Sequence, residues 1–534
     1  MHNNSGERGH LSRRTVLKGA SSLGVLGLAG CSQNSSGGDG SGQSGGGKLK
    51  VAQAKSPIEF DPIVLNDVPS DEIAMNVFAS LYDYDESTGI VPGIAKEMPT
   101  VEKGAQRWIV PIRSDAKFHN GDPVTAEDVK YSFTAPVKEE TENAGEFNMI
   151  DTVSVVDEET VQFDLKYQFG AFKQYLPWYV VPKSVREEDK KAFNTENPIG
   201  AGPFKFDSWT EGEFVKITRW DDYWGENTPN LQEIEYVPVE EATTRVTTLK
   251  SGENDVVKNV PPKSWETVKN MEKASIESVP GVSYFYLAFN CKQGPTADPK
   301  VREAIDYAFS MDDAVSKFVE PSGIRQYSPV PRSVAEDWGF PLDEWEAIPH
   351  EKDVDKAKSM LDDNSKVPDD WKAKIIVPPD EKREQIGVSV ANGIKEAGYQ
   401  ASVQRLDWGA FLEKYITGDP NDYHMYTLGW SGSPDPDTFM YFLFAQEAFE
   451  STNGSFYKND AVDEKIMNAR QSNSQDDRKQ WYTDAITTIL EDRAHIPSYA
   501  LKNSWGVNDK VKDFHAHPVD QYSIFSGYNN ASVQ

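Results

Sequence analysis

The sequence predicts an α/β protein with β-rich insertions in its first half. Three observations carry that class. Residues 374–377 form a short apolar strand, Ile386, Val390 and Ile394 recur at helical spacing, and residues 401–406 form a second strand. Strand, helix and strand in that order make a βαβ unit, which implies a parallel sheet. In the first half, residues 153–165 read as a hairpin turning at Glu158–Glu159, with Val161, Phe163 and Leu165 on one face. Finally, at 534 residues the chain exceeds what one hydrophobic core serves, so two or three lobes are expected.

In chain order, residues 12–18 read S-R-R-T-V-L-K, the pattern of a twin-arginine export signal. Small and apolar residues follow over 19–30 and end in L-A-G before Cys31. That run is shorter than the roughly 20 apolar residues a membrane helix needs. Residues 1–31 therefore read as a signal peptide with a lipobox, exported in the folded state, with Cys31 as the lipidation site that ties the protein to the membrane. Residues 32–47 are a Gly/Ser tether, a coil spanning roughly 20–25 Å. The stretch G-Q-S-G-G-G-K-L at 42–49 lacks the Ser/Thr and the preceding strand of a phosphate-binding loop and reads as linker.

Beyond the tether, Trp108, Val110 and Ile112 alternate as on a strand, and Asn120–Gly121 gives a turn. Thr125 and Asp128 frame a capping box ahead of Val129 and Phe133. Asp298–Pro299 supplies an N-cap and a first-turn proline for the stripe Val301, Ile305, Ala308 and Phe309. A long helix is expected around Trp481, Ala485 and Ile489.

Acidic residues outnumber basic ones 85 to 55, for a net charge of −30 spread along the chain. Such a molecule repels phosphate backbones, so nucleic acid is not a partner. The excess suits a surface kept soluble in concentrated salt, as in haloarchaea; the alternative is an ordinary acidic secreted protein. With Cys31 taken by lipid, Cys291 has no disulfide partner and is expected to be a small buried hydrophobe. No H-E-x-x-H or paired C-x-x-C occurs among the eight histidines and two cysteines, and neither enzymatic chemistry, metal nor cofactor is expected. His515 and His517 could share one face of a strand but lack a third ligand.

Four segments then resemble one family. Residues 108–133, W-I-V-P-I-R-S-D-A-K-F-H-N-G-D-P-V-T-A-E-D-V-K-Y-S-F, resemble its strand, F-H-x-G-x-P turn and A-x-D-V helix. Residues 200–225 (G-A-G-P-F-K-F through R-W-D-D-Y-W-G), 298–310 (D-P-K-V-R-E-A-I-D-Y-A-F-S) and 429–436 (G-W-S-G-S-P-D-P) follow in its order. The family is the extracellular solute-binding proteins, family 5, of peptide/nickel ABC importers. The resemblance implies a two-lobed periplasmic-binding-protein-like fold of type II, peptide-binding cluster, with an extra β-rich subdomain. Lobe I would comprise 48–80, 200–289 and 500–534, the inserted subdomain 81–199, and lobe II 290–499.

The resemblance also implies a ligand site. Ligands in such α/β receptors lie outside the carboxyl ends of strands, and residues 423–428 read as one such strand. Trp430 matches a cavity tryptophan of peptide-binding members, Trp408 matches a second, and Tyr284 is a candidate at the junction of lobes. Peptide-binding members place an aspartate three residues after the tryptophan, against the peptide's amino terminus. Here that position is Ser433, in a loop one residue shorter, and Asp435 is the candidate to take over. His119 belongs to the β-rich insertion as architecture. The implied function is capture of a small solute, a di- or oligopeptide first and an oligosaccharide or other neutral solute second, by hinge closure and delivery to ABC permease subunits. A sensor or chaperone version of the fold, and a hydrolase, are the rivals.

Overall fold

The computed structural model describes residues 47–520 and 529–534. The leader, Cys31 and the tether through residue 46 lie outside the described residues, as do residues 521–528. Among the described residues, no helix is long and apolar enough to cross a membrane.

Among the described residues, twelve strands join in one sheet. Its main path runs Gln400–Arg405, Lys372–Val377, Met425–Ser431, Ser283–Phe289, His495–Asn508, Val256–Lys258, Lys48–Gln53, Glu233–Pro238, Phe214–Arg219 and Phe204–Thr210. The strand His495–Asn508 belongs to two half-sheets. Its beginning pairs with Ser283–Phe289 and Gly323–Arg325, and its end pairs with Ala274–Pro280 and Val256–Lys258. The chain crosses between the halves there and at Gly281. The Gly281 N–H donates to the Leu501 carbonyl at 2.8 Å, and a side chain at 281 would meet Asn503 Oδ1 at 2.7 Å. Two crossing segments thus lie side by side, the backbone arrangement of a hinge. The halves divide at Gly281 rather than at residue 290. Ser283–Phe289 faces Met425–Ser431 over its whole length, which commits it to the second half.

Alternation along Ser283–Phe289 feeds two cores of that half. Tyr284 and Tyr286 enter one with Phe439 and Tyr482, and Leu287 and Phe289 enter the other with Ile305 and Val390. The first half buries Leu49, Val51, Ile73, Phe204, Ile234 and Trp505 together. A four-stranded antiparallel sheet, Thr100–Glu102, Arg107–Pro111, Thr160–Leu165 and Ile150–Asp157, builds the β-rich unit around Trp108, Val110, Phe133 and Phe163.

Local signals act as their chemistry requires. Thr125 Oγ1 accepts from the Asp128 N–H at 3.2 Å while Asp128 accepts from the Thr125 N–H at 3.0 Å, opening helix Ala126–Lys138. Lys372–Val377 and Gln400–Arg405 pair in parallel across helix Glu381–Glu396, the expected βαβ unit. The strand expected over 423–428 runs instead over Met425–Ser431, because its antiparallel partner keeps it paired as far as Ser283. His119 is bonded on both ring nitrogens, Nε2 donating to the Gly202 carbonyl at 3.0 Å and Nδ1 accepting from the Gly200 N–H at 3.2 Å. It thereby ties the β-rich turn to the G-A-G-P segment.

Cys291 is half-buried, with its thiol pushed up by burial. His515 is exposed and His517 buried, with Nε2 2.8 Å from the Asp85 carbonyl. Among the described residues, no group of three or more His, Cys, Asp or Glu is placed to hold a metal.

Candidate ligand-binding cleft

Strand direction sets the site. In the first half, Lys48–Gln53 and Val256–Lys258 are parallel, and Lys258 pairs with Trp505, towards the crossing. In the second, Lys372–Val377 and Met425–Ser431 are parallel, and Ser431 lies opposite Ser283, beside Gly281. Carboxyl ends from both halves therefore approach the hinge, the position at which α/β receptors bind ligands.

On the second half, Trp430 occupies the carboxyl end of its strand. It is partly buried, stacked on Phe442 at 5.5 Å, and its indole N–H is shielded from solvent with no acceptor among the described residues. A buried donor left unpaired is costly, so this one is available to a ligand oxygen. Ser433 Oγ lies 2.7 Å from Thr438 Oγ1. Asp435 is fully buried; it caps helix Pro436–Phe444, accepting from the Asp437 N–H at 2.9 Å, and binds Arg478 through both oxygens. Both of its oxygens are spent on architecture, so it does not present a carboxylate to the cleft in place of Ser433. Beside it, burial pushes the Asp437 carboxyl up, against the pull of Arg470.

Trp408 opens helix Trp408–Tyr415, is 48% exposed and stacks on Phe411. This helix follows the carboxyl end of Gln400–Arg405, which puts Trp408 just beyond that end of the strand. Tyr284 sits elsewhere. It is wholly buried, stacked on Tyr286 at 4.8 Å, and burial raises its phenol well above the usual range. It is a core residue, because even-numbered positions of its strand point into the tyrosine-rich core.

The first half contributes residues the sequence did not announce. Lys258, at the end of its strand, is buried and bonded to Glu72, to Asp520 Oδ2 at 3.0 Å and to the Asp520 carbonyl at 3.2 Å. Gln53 Nε2 donates to the same Glu72 at 2.6 Å. Burial pushes Glu72 up against the pull of Lys258; burial also works to lower Lys258, but Glu72 and Asp520 outweigh it and hold the ammonium charged. The available signal was a lysine closing an apolar strand, D-V-V-K, which a buried position tolerates only with carboxylates nearby.

A cavity of about 710 Å³ lies between the first half and the β-rich unit, walled by Met75, Phe78, Tyr84, Tyr179, Tyr223 and Trp224 among others. Burial, then Asp83 and Asp435, raise the Tyr84 phenol above its usual range. The β-rich unit also touches the second half directly. Arg470 lies between the rings of Phe169 at 4.4 Å and Tyr441 at 3.8 Å, and Gln174 Nε2 donates to the Pro434 carbonyl at 3.4 Å.

The family model for bacterial extracellular solute-binding proteins, family 5 (middle region), matches residues 89–451. The oligopeptide-binding protein AppA of Bacillus subtilis (strain 168) is 28% identical over 553 aligned residues, covering 96% of this chain and 98% of that protein. HbpA2 of Haemophilus parasuis superposes with a TM-score of 0.81 at 20% identity, over 91% of this chain and 100% of that one. Bacillus subtilis AppA in complex with a nonapeptide superposes at 0.70 with 24% identity, over 92% and 99%. The two-lobed fold is thus shared along nearly the whole chain. With a match spanning more than half its length, the chain belongs to the bacterial extracellular solute-binding proteins of family 5.

Proposed function

We propose that the protein captures peptides outside the cell by closing its two halves around them and delivers them to the permease of an ABC importer. The observation that carries this reading is Trp430. An aromatic face with an unpartnered, shielded N–H stands at the carboxyl end of a strand, beside a hinge of two crossing segments. A peptide offers both a carbonyl for that donor and apolar surface for Trp430 and Trp408. A ligand touching both halves shifts the open–closed equilibrium by its differential affinity, and no covalent step is required. The names of relatives such as the oligopeptide-binding AppA point to the same ligand class. Export by the twin-arginine route and anchoring through a lipid on Cys31 complete the picture, on the strength of the leader residues. The acidic surface suits work in concentrated salt.

A neutral solute is the second reading. It is favoured by the commitment of Asp435 to Arg478 and of Ser433 to Thr438, which leaves the Trp430 loop without a carboxylate for an amino terminus. Thermal-shift titration in high salt decides between them. A ligand at 100 times its Kd adds about 2.7 kcal/mol of stability. Di- to hexapeptides should raise the melting temperature and oligosaccharides leave it unmoved; the reverse result would replace the peptide by the sugar.

A further inference from the structure

The polar cluster around Lys258 holds three shielded oxygen acceptors without a donor among the described residues. Gln53 and Lys258 close the adjacent parallel strands Lys48–Gln53 and Val256–Lys258, so both stand at carboxyl ends that approach the hinge. They meet Glu72 and Asn76 of helix Val68–Val77, where Gln53 Nε2 donates to the Glu72 carboxylate at 2.6 Å and Asn76 Nδ2 to the Glu72 carbonyl at 2.8 Å. Gln53 and Asn76 are 0% and 1% exposed, yet Gln53 Oε1 and Asn76 Oδ1 have no partner. The third such atom is Asp520 Oδ1, while Asp520 Oδ2 binds Lys258 at 3.0 Å. Asp520 follows Pro518, whose carbonyl accepts from the Val282 N–H of the hinge at 3.1 Å, and Val519, which packs against the same second-half core as Trp430. With its side chain 35% exposed, Asp520 is the point at which the buried cluster opens.

Charge points the same way. The Lys258 ammonium has its three donors on Glu72, Asp520 Oδ2 and the Asp520 carbonyl, so none is left for an anion. Two carboxylates share that one ammonium, which leaves one negative charge in excess in a largely buried place. Burial pushes the Glu72 carboxyl up against the pull of Lys258, and Asp520 adds to the rise. An uncompensated buried charge and buried acceptors without donors are both unfavourable. A primary ammonium answers both, with one positive charge and three N–H donors.

We propose that Asp520, together with the amide oxygens of Gln53 and Asn76, receives a primary ammonium of the bound peptide at the hinge. The inference rests on the peptide reading given above and supplies the carboxylate that the Trp430 loop lacks. Two sources of the same chemistry exist, the amino terminus and a lysine side chain.

The test uses the full chain in 2 M KCl, where screening confines the field of the −30 charge to a few ångströms and leaves close contacts. Affinities for Ala-Lys-Ala, for Ala-norleucine-Ala and for the acetylated form of each are measured by calorimetry. They are compared between the native protein, D520N and an E158Q/E159Q control on the hairpin turn of the β-rich unit. We expect at least tenfold weaker binding when the responsible ammonium is removed from the ligand, and a discrimination close to onefold in D520N but unchanged in the control. If acetylation causes the loss, the group is the amino terminus; if norleucine does, it is the side chain. Equal binding of all four peptides by the native protein, or discrimination that survives in D520N, overturns the inference and leaves the peptide reading intact. If none of the four binds, the peptide reading falls and this inference with it. Lys258 keeps Glu72 as its counter-ion in D520N, so the variant should fold, as its melting temperature will show. A crystal structure of the native protein with Ala-Lys-Ala needs no variant. A peptide nitrogen should lie within hydrogen-bond distance of Asp520 Oδ1; a water or a potassium ion there in its place overturns the inference.

Discussion

Arg478 grips Asp435 through both carboxylate oxygens, at 3.0 Å (Nη1–Oδ2) and 2.6 Å (Nη2–Oδ1), with both side chains buried. Removing one partner of such a pair leaves an uncompensated buried charge, which costs about 3–5 kcal/mol. D435N should therefore lower stability by that order in denaturant unfolding, while the protein that remains folded keeps its ligand affinity. Unaltered stability with lost binding would return Asp435 to the ligand site.

Trp430 and Trp408 should behave differently. Trp430→Ala removes a ring packed on Phe442 together with the free indole N–H and should weaken peptide binding at least tenfold by calorimetry. Trp408→Ala acts on a ring that is 48% exposed, so its stability change should stay within about 0.5 kcal/mol. Equal losses of affinity and stability at Trp430 would mark it as a core residue only.

Acid should destabilise the protein through its buried imidazoles. Burial lowers His119 and His424 to about 4 and His495 to about 3, from an ordinary value of 6.5. Because the folded value lies below the unfolded one, the unfolded chain takes up protons first as the pH falls. Their contribution is intact above about 6.5 and is lost progressively towards pH 4. Melting temperatures measured from pH 8 to 4.5 should fall in that window; a flat profile contradicts the burial.

Asp71 should show the opposite sign. Burial lifts its carboxyl to about 6, although the Tyr179 hydroxyl donates to it at 2.7 Å. A raised folded pKa favours folding below the unfolded value of about 4 and loses that contribution as the pH rises through about 6. Asp71→Asn should thus be more stable than the native protein at pH 7.5 and lose the advantage at pH 4, as compared by parallel melts.

Gly170 decides how closely the β-rich unit approaches the second half. A Cβ there would fall 1.5 Å from the Ser472 carbonyl oxygen, a backbone atom that cannot swing aside. Gly170→Ala should push the two surfaces apart, seen as an increased radius of gyration in solution scattering and a weaker ligand affinity. An unchanged radius would mean that the Ser472 backbone yields locally.

Local chemistry was the legible part of this chain. The capping box at Thr125, the proline-led helix after Asp298 and the parallel strands flanking Glu381–Glu396 follow from residues a few positions apart, and they stand where the sequence puts them. The partners that decide roles were not legible, because they are far away in sequence. Asp435 is claimed by an arginine 43 positions on, and Lys258 by Glu72, 186 positions back. Tyr284 looked like a junction residue from its place between lobes. Alternation turns its side chain into the core, and which face of that strand is the core depends on Tyr426, Phe439 and Tyr482, all contributed much later in the chain.

The sharing of His495–Asn508 between both half-sheets has a consequence for biogenesis. Val256–Lys258 has an unpaired flank until residues 505–507 arrive, some 250 positions later in the chain, so ribosome-bound intermediates expose an open strand edge until synthesis is nearly complete. Under the twin-arginine export proposed above, which carries finished molecules, that edge would close inside the cell before the polypeptide meets the exterior.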